Sequence, residues 1–148
     1  MTFASVWKTG FTMTALVVGL AGCSAMQPGN MVSLTGKMSG ANEVPAVATS
    51  GTGMAEATLN KDTRVLKWKV TYSGLTGPAA AGHFHGPAAA GSNAGVVVPF
   101  SSVASPIEGQ ATLTPAQVSD LMAGKWYANI HTAAHKGGEI RGQMMPGM

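Results

Sequence analysis

One cysteine, Cys23, occurs in the whole chain, so no intramolecular disulfide forms and no second thiolate is available to help hold a metal. Charge is equally sparse. Nine basic and six acidic side chains give a formal net charge of +3, and no basic cluster is longer than "KWK" (67–69). A nucleic-acid partner calls for a basic stripe or patch, which this distribution does not provide. The main apolar run lies near the N-terminus and is too short to span a bilayer. No Ser–His–acid order, phosphate-cradling glycine loop or close carboxylate pair is identifiable, which leaves those catalytic classes without residues to perform them.

What the N-terminus does contain is an export signal. In "WKTGFTMTALVVGLAGC" (7–23), one positive charge, Lys8, precedes mostly apolar and small residues that end at the cysteine. "LAGC" looks like a lipobox, the bacterial motif in which the cysteine becomes the lipidated first residue after cleavage. Residues 1–22 are therefore expected to be a lipoprotein signal peptide, with Cys23 the lipidation site. Lipidation also explains the lone thiol, which would be a liability if left free in an oxidising compartment. Ser24, where an aspartate would favour inner-membrane retention, leans toward the outer membrane, facing the periplasm. Loss of the signal removes only Lys8 from the charges and leaves a net charge of about +2. Residues 23–31, polar and bearing Pro28 and Gly29, read as a lipidated tether.

From 32 to 148 the chain reads as one domain of short strands punctuated by turns. Val32, Leu34 and Met38 share a face, as do Ala55, Ala57 and Leu59 before the turn "NKDTR". The clearest alternation is in "VLKWKVTYSGL", with Leu66, Trp68, Val70 and Tyr72 on one side and Lys67, Lys69 and Thr71 on the other. "AAGHFHG", "VVVPF", "EGQATLT", "WYANIHT" and "GEIRGQM" continue the series. One short helix interrupts it: Thr114 is placed to cap "TPAQVSDLMAGK", Pro115 to start it, Gln117 to complete a capping box and Gly124 to stop it. Seven or eight strands predict an all-β fold, an antiparallel sandwich or barrel with one connecting helix. Trp68, Trp126, Met38, Met54 and Met122 are expected to fill the core, and the C-terminus to form a short Met-rich tail.

The order of the motifs "LTGKMSGANEVPAV" (34–47), "GTGMAEATLN" (51–60), "LKWKVTYSGLTGPAAAGHFHGPA" (66–88), "LTPAQVSDLMAGKWYANIHT" (113–132) and "GGEIRGQM" (137–144) resembles the CHRD domain, the module named after chordin. The resemblance implies an immunoglobulin-like or superoxide-dismutase-like β-fold and, by itself, little about activity. Three of the four histidines stand where the family commonly has one. His135 departs from the pattern, since the family usually carries asparagine or another non-ligand there.

Those four histidines are the candidate site. Residues i and i+2 of a strand project to one face, so His83 and His85 can offer two imidazoles to one ion while Phe84 packs behind them. His131 shares a face with Tyr127 and Asn129, and His135 follows in a loop that Gly137 and Gly138 favour. If the two strands are neighbours, three or four ring nitrogens converge. An all-imidazole set suits copper, with zinc as the alternative. Met26 and Met31 in the tether and Met144, Met145 and Met148 in the tail are open to two readings, as soft ligands for copper(I) or as flexible filling. Glu139 and Arg141, like Glu43, are expected to form ion pairs or backbone clamps at a sheet edge.

These residues predict a lipid-anchored envelope protein that binds copper through its histidines for storage, delivery or tolerance; they lean against catalysis without deciding it. Two alternatives stand beside it. One is a metal-independent module that binds another envelope protein, and the other is a copper enzyme of the superoxide dismutase type.

Overall fold

The computed structural model describes Met1 and residues 28–147; the rest of the expected signal peptide, Cys23, Met26 and Met148 lie outside the described residues. Period-two alternation produces the expected strands: β1 (Met31–Ser39), β2 (Thr52–Asn60), β3 (Val65–Ser73), β4 (Ala79–His85), β5 (Val96–Pro99) and β6 (Ile107–Thr112). Helix α1 (Pro115–Met122) follows, then β7 (Tyr127–Thr132), β8 (Ile140–Gln143) and the two-residue β9 (Met145–Pro146). All the pairings are antiparallel, in the order β5-β4-β7-β8-β1-β2-β3-β6, with β9 on β1. The sheet curls into a nearly closed barrel.

Inside the barrel lie the residues that the alternation assigns to one face, among them Leu34, Met38, Leu59, Leu66, Val70, Ile130 and Ile140. The connection from β5 to β6 bridges the two ends of the sheet. Phe100 N–H donates to the Gly82 carbonyl (2.9 Å), and Tyr72 meets Val103 and Ser105 from the other side. Helix α1 carries the expected capping box: Gln117 N–H donates to Thr114 Oγ1 and Thr114 N–H to Gln117 Oε1. Gly124, at φ 68°, takes the left-handed conformation that ends it.

Three expectations need correction. The tether ends before residue 31, because Met31 already pairs with Asn60 in β1. The C-terminus is not a free tail: Met144 is fully buried in the core, and Met145 and Pro146 pair with Thr35 and Leu34. Met54 does not fill the core, since it points outward from β2 between the inward-facing Ala55 and its neighbours.

Candidate metal centre

Phe84 anchors the strand that carries the first two histidines. It is fully buried and makes edge contacts with Trp68 (5.5 Å, 89°) and Phe100 (5.0 Å, 85°). Such pairs add roughly 0.5–1.5 kcal/mol each beyond their buried area. With Phe84 locked inward, strand geometry turns His83 and His85 outward together. β7 is the neighbour of β4, and its residue opposite Ala81 is His131. His131 is thus the diagonal neighbour of His83, a separation long side chains bridge, and the small Ala81 leaves the space open.

The three rings converge. His83 Nδ1 lies 3.2 Å from His131 Nε2. Ring centroids are 5.0 Å apart for His83 and His131, 5.4 Å for His83 and His85 and 5.9 Å for His85 and His131. One ligand nitrogen from each falls within 4.8 Å of the other two. Two nitrogens on one tetrahedral ion, at the usual metal–nitrogen length, stand about 3.3 Å apart. The closest pair already has that spacing.

Two of the rings have their tautomer set by the backbone. His85 Nδ1 donates to the Ala94 carbonyl (3.0 Å), and His131 Nδ1 donates to the Lys136 carbonyl (2.9 Å). In its neutral form each of these rings carries an unprotonated Nε2, as metal-binding histidines do when their other nitrogen is hydrogen-bonded. His131 Nε2 accepts from His83 Nδ1. His85 Nε2 is buried and has no hydrogen-bond partner among the described residues. A desolvated lone pair is costly unless something occupies it. Burial, then the nearby His131, then His85 hold the His83 ring below the ordinary imidazole value of 6.5. Burial also leads in lowering His85, outweighing the Ala94 carbonyl, with His131 and Arg141 adding to it. Both are neutral at pH 7, the form a metal binds.

The remaining candidates stand elsewhere. Among the described residues, His135 is not part of the cluster; its backbone closes the turn after β7, exchanging hydrogen bonds with Thr132 and accepting one from Gly138 N–H. Met144 points into the core against Gly36, and Met145 sits beside Gly124.

Sequence reasoning missed the polar layer beneath the histidines. Tyr127 stacks on His85 (5.0 Å, 3°), and the Arg141 guanidinium lies over the Tyr127 ring, 4.0 Å from its centroid. Arg141 pairs with Glu43 (3.2 Å), both buried, and Glu43 also accepts from Asn129 Nδ2 (2.6 Å). Burial pushes the Glu43 carboxyl up, against the lowering effects of Arg141, Asn129 and His131. This pair is not at a sheet edge, since β8 lies between β7 and β1. Glu139 is not its partner; it accepts instead from Thr49, Thr76 and Thr132. Only the burial of Tyr127 and Asn129 on the face opposite the core would have pointed to this layer, and that depends on the loop folded over them.

The motif order that suggested a family agrees with the comparisons. The model of the CHRD domain matches residues 34–144, a span that holds the whole cluster and the layer beneath it. No curated protein and no solved structure matches the chain. Most of the chain is covered by that match, and the protein belongs to the CHRD domain family.

Proposed function

We propose that this protein binds copper at the cell envelope through His83, His85 and His131, held to the outer membrane by a lipid on Cys23, and that it stores, delivers or detoxifies the ion. The observation that carries this reading is a cluster of three imidazoles with ligand nitrogens within 4.8 Å of one another, in which the buried His85 Nε2 has no hydrogen-bond partner among the described residues. Most buried polar atoms have a hydrogen-bond partner, and among the unpaired ones His85 Nε2 alone belongs to a cluster of potential metal ligands. Three imidazole nitrogens with no thiolate favour copper(II) over zinc by the general order of divalent affinities. The thioethers lend less support, because Met144 is in the core.

The test is copper binding by the purified mature protein, followed by elemental analysis and titration calorimetry. About one copper per chain is expected from a single three-nitrogen cluster. His83→Ala with His85→Ala abolishes binding, whereas His135→Ala leaves stoichiometry and affinity in place. An unchanged stoichiometry in the double variant overturns the proposal.

A further inference from the structure

The stack beneath the cluster converges on one carbonyl. Ala94 O accepts from His85 Nδ1 (3.0 Å) and from the Tyr127 hydroxyl (3.3 Å), while Ala94 N–H donates to the same hydroxyl (3.1 Å). The two residues before Ala94 are held by Arg141, whose Nη1 donates to the Ser92 carbonyl (3.1 Å) and Nη2 to Asn93 Oδ1 (2.5 Å). Asn93 in turn donates to the Val44 carbonyl (3.0 Å), beside the Glu43 that pairs with Arg141. Each of these contacts bears on His85. The parallel Tyr127 ring sets its plane, and the carbonyl sets which nitrogen keeps the proton.

We propose that Tyr127 and Arg141 are positioning residues for the metal ligand His85: Tyr127 by stacking on its ring, and Arg141 by holding residues 92–94 so that the Ala94 carbonyl selects the tautomer with a bare Nε2. The inference rests on the reading of the three histidines as a metal site. The physical requirement is general, because a ligand imidazole must be neutral, of one tautomer and correctly turned, and the groups that ensure this typically matter about 10–100-fold in affinity. Tyr127 itself touches no ion in this scheme.

The test uses the mature protein in two states. In the metal-free state, nitrogen-15 spectra of the imidazoles report the tautomer. Wild type is expected to show His85 protonated at Nδ1 alone, and Tyr127→Leu to show a mixture. With copper(II) added, electron paramagnetic resonance is expected to show one species in wild type and several in Tyr127→Leu, with affinity lower by about tenfold or more. Tyr127→Phe, which keeps the stack, restores the single species. A His85 protonated at Nε2 in metal-free wild type overturns the proposal, and does so even if Tyr127→Leu fails to fold. So does a folded Tyr127→Leu with one tautomer and wild-type affinity. Should wild type bind no copper while its tautomer is as expected and is lost in Tyr127→Leu, the metal reading fails and the positioning of His85 stands.

Discussion

Glu139 has no exposed surface, yet among the described residues it carries no ion pair. Its Oε1 accepts from Thr49 Oγ1 (2.7 Å) and Thr76 N–H (2.8 Å), and its Oε2 from Thr76 Oγ1 (2.8 Å) and Thr132 Oγ1 (2.7 Å). Burial pushes the carboxyl up, but the hydroxyls of Thr49, Thr132 and Thr76 and the Thr76 amide outweigh it and hold the group at about 2. Because this value lies below the ordinary 4.5, the stabilisation is full above pH 4.5 and is lost as pH falls from there toward 2. Glu43 works in the opposite sense, since a raised carboxyl loses its contribution as pH rises through and above 4.5. Glu139→Gln is expected to destabilise by about 2–3 kcal/mol at neutral pH, because the Thr76 N–H and the new amide are both donors. Urea unfolding measures this, and the variant should also show a shallower stability loss between pH 4.5 and 2. For the histidines the sign is that of a lowered base. His83 and His85 contribute fully above pH 6.5, and the contribution falls as pH drops through 6.5 and their lower folded values. Thermal melts of His83→Asn with His85→Asn should lose that slope. The carboxylate and arginine partners were not legible beforehand: "GGEIRGQ" suggests a Glu–Arg pair, while Thr49, Thr76 and Glu43 come from loops far away along the chain and Thr132 from the end of β7.

Among the elements, β7 joins the two sides of the molecule. Ala128 and Ile130, with Trp126 just before the strand, close the core, while Tyr127, Asn129 and His131 build the site on the other face. Period two made this division legible, including the shared face of His83 and His85. Whether the second face was wet was not legible, because its cover is the loop 86–95, which has no periodicity. The β7–β8 turn closes over the layer at Gly138, which is at φ 129°. A Cβ there would lie 2.5 Å from Asn129 Oδ1 and 2.6 Å from Glu43 Oε1. Gly138→Ala is therefore expected to lower stability by about 1–3 kcal/mol through strain and crowding. Calorimetric melting of the metal-free protein would show it, and a melting temperature equal to wild type would contradict the tight closure. The capping box of α1 was readable from Thr114 and Gln117 because its partners are three residues apart. Thr114→Ala should cost about 1 kcal/mol by chemical denaturation.

For the molecule as a whole, the proposed lipid anchor and the proposed metal site are separate claims, and each has its own test. Cys23→Ser should move the protein from the membrane fraction to the soluble periplasmic fraction without changing copper affinity; continued membrane association would contradict lipidation at that residue. Copper that binds only the folded barrel must stabilise it, by about 2.7 kcal/mol at a free concentration 100 times the dissociation constant. His135, the histidine that departs from the family pattern, made a fourth ligand plausible in the chain, yet the turn after β7 spends its backbone on Thr132 and Gly138 and leaves it out of the cluster. The alternation of apolar residues, the caps of α1 and the i, i+2 spacing of His83 and His85 are local, and local sterics and hydrogen bonding suffice to establish them from the amino-acid order. The meeting of His131 with His83, the Ala94 carbonyl that orients His85, and the exchange of Arg141's partner from Glu139 to Glu43 depend on strand order and loop cover. Those follow from packing across the whole barrel, where residues 48 or 98 positions apart come into contact, and no short window of sequence contains both partners.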